Sequence, residues 1–214
     1  MMPKDVKKTI ENLEKNGIKT YFLESKEEVV PLIEKLVKAN STVAVGGSVT
    51  LAETGVLEHL RSGRYTFYDR YKEGLLPDGI KEVFRQSFSV NTYFCSTNAL
   101  TEDGELYNVD RTGNRVGAIS YGPDEVIIIS GVNKIVANID EAVKRVKTIS
   151  APKNCIRLNC NTYCAKVGHC MDADGGMGKG CDSKERICTH YLVTSKQLNP
   201  DRIKVILVNE NLGY

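Results

Sequence analysis

The 214-residue chain has almost no charge of one sign to spare, with 29 Lys and Arg against 27 Asp and Glu for a formal net charge of +2. Nucleic-acid binding rests on neutralising phosphates with a basic face, and no such excess exists here. No run of roughly 18 apolar residues is present to cross a bilayer. The opening MMPKDVKKTIENLEKNG lacks the apolar core of a signal peptide. The expectation is a cytoplasmic protein with no nucleic-acid partner and no membrane insertion. Also missing are a Walker loop, a full G-x-G-x-x-G fingerprint and any C-x2-C pair of the zinc-ribbon kind. Cysteine itself is nearly absent before residue 150, where only Cys95 occurs.

Hydrophobic residues at 41% and charged residues at 26% make an ordinary globular composition, which excludes wholesale disorder. The length suits one substantial core. Val6, Ile10 and Leu13 at helical spacing predict a helix over 3–16, stopped at Asn16-Gly17. Ile18 to Leu23 reads as a strand, and Ser25 with Glu28 forms a capping-box signature before a helix carrying Val29, Ile33, Leu36 and Val37. A compact strand, Thr42–Val45, follows. Further strands are expected near Tyr65–Tyr68, Val90–Phe94 and Glu125–Ser130, the last of them central, with helices near 79–88 and 140–149. Asp103-Gly104 marks a hairpin turn. Alternating strands and helices predict a mainly parallel sheet covered on both faces. After Ala151-Pro152 the composition shifts to Cys, Asn, Gly and Asp, and a strand at 202–208 is expected to rejoin the sheet.

Three segments have the chemistry of a ligand site. Gly46-Gly47-Ser48-Val49-Thr50 lies between a strand and a helix, where glycines let backbone amides approach an anion. A capped turn explains the same residues equally well. Glu53 is a candidate general base, or simply a first-turn carboxylate complementing the helix dipole. The second segment, 97–115, is dense in amides, carboxylates and arginines able to hold a hydroxylated anion, although Asn, Asp and Gly also serve turns. The third, Gly131-Val132-Asn133-Lys134, places a lysine directly after the expected central strand.

The stretches GGSVTLAETG, STNALTEDGELYNVDRTGNRVGAISYGP and SGVNKIV resemble the three motif blocks of the LUD domain, the family that includes lactate utilisation protein C. The tail, with Cys164-Ala165-Lys166, Arg186-Ile187-Cys188 and Lys204–Val208, is similar to the longer branch of that family. The resemblance implies a three-layer α/β fold like that of the sugar-phosphate isomerase and CoA-transferase superfamily. It also implies a role in oxidising lactate, a 2-hydroxy acid, alongside iron–sulfur or flavin oxidoreductase subunits. Carried over by motif, the expected pocket residues are Gly47, Ser48, Thr50 and Glu53, then Asn98, Asp110, Asn114 and Arg115, then Asn133 and Lys134, with Glu53 and Lys134 the catalytic candidates. Two other readings stay open. One is a metal-stabilised module that binds or senses a small anionic metabolite without turnover, and the other is isomerase or CoA-transfer chemistry.

Six cysteines crowd the tail, and Cys164, Cys170, Cys181 and Cys188 give C-x5-C-x10-C-x6-C. Thiolates select zinc or iron–sulfur over hard cations. The wide spacing points to a [4Fe–4S] cluster, with zinc as the alternative. The family's tail has a shorter middle spacing, so Asp172–Gly180 reads as an insertion. Cys155, Cys160 and His169 are spare or substitute ligands. The expected organisation is an α/β core over 1–150, a cysteine-rich metal-binding insertion over 151–200, and a returning strand in 201–214.

Overall fold

The computed structural model describes residues 5–214. The first helix spans Val6–Lys15, capped by the Asp5 side chain, which accepts from Lys8 N at 2.8 Å. Residues 3 and 4 of the expected helix lie outside the described part. The strands are β1 (Lys19–Leu23), β2 (Thr42–Val45), β3 (Thr66–Tyr68), β4 (Thr92–Cys95), β5 (Ala99–Thr101), β6 (Leu106–Asp110), β7 (Glu125–Gly131), β8 (Ile135–Val136), β9 (His190–Thr194) and β10 (Ile203–Val208). Six of them form a wholly parallel sheet in the order β1-β10-β7-β4-β2-β3. The other four form a smaller sheet, β8-β5-β6-β9, built on the hairpin expected at Asp103-Gly104.

Period-two alternation explains how both faces of the large sheet are covered. In β7, Val126 and Ile128 pack with Leu13 of the first helix, with Ala118 and Ile119 of the helix Asn114–Ser120, and with Leu100 and Leu106 of the small sheet. Ile127 and Ile129 point the other way, into Val29 and Ile33 of the helix Val29–Leu36 and Leu51, Val56 and Leu60 of two short helices. In β10, Val205 and Leu207 share the first face, Ile206 and Val208 the second. Each buried aliphatic side chain contributes roughly 1.5–3 kcal/mol, so a one-residue slip in either strand would forfeit much of the core. β7 is indeed interior, between β10 and β4.

Two expectations need correction. The helix expected over 140–149 does not end before Ala151-Pro152. The helix Ile139–Arg145 runs through a π-helical stretch, Val146–Ser150, straight into the helix Ala151–Arg157. Proline lacks an N–H and its ring crowds the preceding turn, and a widened turn just before it accommodates both defects. The tail is also less irregular than its composition suggests, because 190–194 forms β9, which closes an edge of the small sheet against β6. The segment 151–194 packs on the outer face of that sheet, where Cys155, Cys160 and Cys164 join Tyr107, Val143 and Ile187 in a third apolar cluster. These three thiols are buried core groups.

Candidate functional site

β2, β4 and β7 are neighbours, and their carboxyl ends open into a cleft of about 280 Å³, where ligands of open α/β sheets gather. Its lining includes Gly47, Ser48 and Thr50 after β2, Asn98 after β4, Asp110, Asn114 and Arg115 around the end of β6, and Lys134 after β7. Two of the expected residues do not line it. The exposed Glu53 carboxylate accepts from Gly213 N at 2.6 Å, and Asn133 Oδ1 accepts from Leu212 N at 3.2 Å. Both therefore hold the segment 210–214 over the cleft, and Tyr214 of that segment is part of the lining.

Arg115 organises the floor. Its Nε donates to Asp110 Oδ1 at 2.9 Å, Nη1 to the Ser96 carbonyl at 2.8 Å, and Nη2 to Asn98 Oδ1 at 2.7 Å and the Val109 carbonyl at 3.0 Å. Burial opposes its charge most strongly, but Asp110, with smaller contributions from Cys95 and Tyr93, leaves the guanidinium above its ordinary pKa. The other Asp110 oxygen accepts from Val116 N at 2.9 Å, at the start of the helix 114–120. Arg115, Asp110 and Asn98 thus hold one another, and the arginine, expected to bind ligand, spends its donors on protein acceptors. Asn108, in the same polar block, lies outside the cleft lining, fully buried and with neither amide atom hydrogen-bonded.

Lys134 is 2% exposed, and its Nζ donates to Thr50 Oγ1 and Ser96 Oγ, each at 2.9 Å. Burial, then the nearby Arg145 and Arg115, pull its pKa down to about 7. Arg145 is itself pulled down to about 10 by burial while it donates to the Asn98 carbonyl and Ser150 Oγ. The Cys95 thiol, at the end of β4, is pushed up to about 12 by burial and is inert at neutral pH.

Glycine is required at only one of the two positions of the first loop. A Cβ on Gly46 would meet Tyr93 Oη at 3.0 Å and Arg115 Cδ and Cys95 Cβ at 3.2 Å, whereas Gly47 has ordinary contacts, the nearest being Arg70 Nη1 at 3.5 Å. Arg70 stacks over Phe84, 4.6 Å from the ring centroid. Arg157 donates to Tyr214 Oη at 2.8 Å and to Asn154 Oδ1. Arg70, Arg111 and Arg157 all line the cleft without an ion pair among the described residues, and Asp110 is the only acidic side chain in the lining. Arg70, Ser96 and Arg157 were not among the sequence candidates. Ser96 alone had a usable signal, since it lies two residues after a predicted strand.

A second cavity backs onto the first. Cys155, Cys164, Cys170, Cys181 and Cys188 line it with Met171, Met177 and Tyr191, and Val146, Ala151, Ile187 and Cys188 belong to both linings. Burial pushes the Cys188 thiol up to about 12, and Cys164, Cys170 and Cys181 act on it in the same direction, so the four expected ligands surround one space. Two cations tie the surrounding loop. Lys147 Nζ donates to the Asp172 and Gly175 carbonyls at 2.7 Å, and Arg186 to the Gly178, Cys181 and Cys188 carbonyls at 2.8–3.0 Å. The donor set suits zinc or iron–sulfur. The spacing does not yet make a site, because among the described residues no three His, Cys, Asp or Glu side chains are grouped to hold one metal ion.

Among the described residues no helix is long and apolar enough to cross a membrane. No curated protein matches the chain. A DUF162 family protein from Deinococcus radiodurans, known from its crystal structure, superposes with a TM-score of 0.51 at 16% identity, covering 96% of this chain and 99% of that one. The likeness to eIF2B beta from Chaetomium thermophilum, at 14% identity and a TM-score of 0.37 over 53% of this chain and 43% of that one, is too slight to bear on the fold. The model of the LUD domain matches residues 6–208, which takes in the whole parallel sheet, the thiol cavity and the cleft lining apart from Tyr214, and the chain belongs to the LUD domain family.

Proposed function

We propose that the cleft binds a small 2-hydroxy or 2-oxo carboxylate and that the protein is a component of lactate oxidation working with iron–sulfur or flavin redox partners. The charge of the cleft supports this. Arg70, Arg111 and Arg157 line a space whose one acidic side chain among the described residues, Asp110, is already committed to Arg115. Uncompensated guanidinium groups are suited to bidentate recognition of a carboxylate.

The second half of the proposal is that Cys164, Cys170, Cys181 and Cys188 hold a metal centre, an iron–sulfur cluster in the leading version and zinc in the other. When bound, a cluster would supply one-electron chemistry. Arg186 and Lys147 lie beside the thiols and would offset part of the negative charge of four thiolates. Cys188 and Ile187 would then stand between metal and substrate.

Calorimetry on anaerobically prepared protein tests the first half. Lactate and pyruvate are expected to bind, and lactamide, which has the same shape without the charge, to bind at least about tenfold more weakly. Arg70→Ala should weaken lactate by roughly 1–3 kcal/mol. Equal binding of acid and amide, or no binding of either acid, ends the anion reading. Elemental analysis of the same preparation tests the second half, and finding neither iron nor zinc ends it.

A further inference from the structure

A buried cation ordinarily has a carboxylate beside it, because an unpaired charge is costly away from water. Lys134 does not: its only polar contacts among the described residues are the hydroxyls of Thr50 and Ser96. The charged groups that act on it most strongly are the cations Arg145 and Arg115, and the opposing Glu53 is exposed and engaged with Gly213. A desolvated lysine next to other cations is the arrangement that makes an amine neutral and nucleophilic near pH 7. A neutral amine has two N–H donors and one lone pair. The two hydroxyls use the donors, which leaves the lone pair free. Lys134, Thr50 and Ser96 all line the cleft. The chain passes over them at Gly213, where an added Cβ would sit 2.5 Å from Thr50 Oγ1 and 3.4 Å from Lys134 Nζ, so the backbone closes this end of the cleft.

We infer that Lys134 condenses with the carbonyl group of a 2-oxo acid, forming a Schiff base in the cleft. The inference rests on the reading of the cleft as a site for small 2-hydroxy and 2-oxo acids, and it names what the protein does with the oxo form. The arginines of the rim seat the carboxylate and leave the adjacent carbonyl carbon to the amine. Nζ attacks that carbon to give a carbinolamine. A C=N bond then forms as the former carbonyl oxygen departs as water, carrying both protons of the amine. No oxidant or reductant is consumed. Thr50 and Ser96, hydrogen-bonded to the nitrogen, are placed to pass the proton to the leaving oxygen. Burial beside two hydroxyls, with no carboxylate partner, sets this lysine apart from the exposed lysines of the surface.

The test is reductive trapping. The intact protein is incubated with pyruvate and sodium borohydride at pH 8, and its mass is measured before and after proteolytic mapping. The expected result is one reduced adduct per chain, mapped to Lys134, absent without pyruvate or without borohydride, and falling off below about pH 7 as the amine gains its proton. Lys134→Arg should abolish it. Because the site is located by mapping on the unaltered chain, the inference does not depend on that variant folding. An adduct spread over surface lysines, or no adduct with pyruvate, glyoxylate or 2-oxoglutarate, overturns the inference. If those acids still bind by calorimetry while none is trapped, Lys134 is a hydrogen-bonding residue and the anion reading stands. If none binds, both fail together.

Discussion

The cleft and the thiol cavity share a wall but are assembled differently. Every element of the cleft floor comes from a strand end of the parallel or the small sheet, and its polar groups are bound to one another: Arg115 to Asp110, Asn98 and Ser96, Lys134 to Thr50 and Ser96. The thiol cavity has one wall of regular structure, with Tyr107, Val143, Val146 and Cys155, and another of loops between residues 170 and 188, which are tied by two cations donating to backbone carbonyls. A site fixed by strand ends is preorganised before ligand arrives. The loop 171–186, in which no residue is buried, has few apolar contacts of its own and opens at lower free energy.

The largest expected effect tests the rigid half. Arg115→Met would leave Asp110 buried without its partner, and breaking a buried pair on one side costs about 3–5 kcal/mol. Chemical denaturation should show a loss of that size, and carboxylate binding in the cleft should go with it. A loss below about 1 kcal/mol, the scale of a surface ion pair, would mean that the network is not what fixes the floor.

Next in size is the pH dependence owed to Lys134. Its pKa is about 7 when folded and 10.5 in the ordinary case, so between those values the unfolded chain binds more protons than the folded one. Stability from this group therefore rises as pH climbs from about 7 to 10.5 and is lost as pH falls through the folded value. Lys134→Met removes the effect. The wild-type minus Lys134→Met difference in unfolding free energy should grow with pH across that window by a few kcal/mol. A flat difference would show that the amine is charged throughout, and the contrast between a desolvated cleft and solvated surroundings would disappear.

The third test is directed at the looser half. Arg186→Ala strips four carbonyl and hydroxyl acceptors of their donor, including Tyr191 Oη. The expected cost is about 1–3 kcal/mol, felt locally: limited proteolysis should speed up between Met171 and Cys188 while lactate affinity in the cleft stays the same. If binding in the cleft weakens as much as the tail loosens, the two regions are one cooperative unit.

The same contrast explains what was legible in the sequence. The parallel sheet, its central β7, the β5–β6 hairpin and the gathering of 47–50, 98–115 and 134 could be read because strand periodicity places the residue after each strand at one edge. Arg70 and Arg157 could not. They reach the cleft from the connection after β3 and from a helix in the tail, and nothing local in Arg70-Tyr71 or Asn154–Arg157 says where tertiary packing will bring them. Glu53 and Asn133 illustrate the reverse. Both have the right neighbours in sequence, yet their side chains hold Leu212 and Gly213, from the far end of the sequence. In the tail, β9 was missed although Tyr191, Val193 and Thr194 are strand-favouring residues, because the glycine and aspartate of 172–182 made the whole segment read as irregular. The π-helical turn before Pro152 was equally invisible, because proline in a sequence signals a break and only the surrounding helix shows how it is accommodated.

The smallest effect separates two adjacent glycines and sharpens the picture of a tight floor beneath an open cleft. Gly46→Ala puts a methyl group 3.0–3.2 Å from Tyr93 Oη, Arg115 Cδ and Cys95 Cβ, all of them in the packed floor. Overpacking of that kind costs about 1–3 kcal/mol. Gly47→Ala meets only Arg70 and Tyr71 side-chain atoms at 3.5–3.8 Å, ordinary contacts on the exposed lip, so its effect on stability should stay within about 0.5 kcal/mol. Its consequence belongs to the ligand instead. A methyl group beneath the Arg70 guanidinium narrows the approach to the backbone of 47–48, and lactate affinity should fall by a few-fold while the denaturation midpoint hardly moves. Equal loss of stability in the two variants would place Gly47 in the packed floor. An unchanged affinity in Gly47→Ala would mean that the anion is seated by the arginines alone and never approaches the loop.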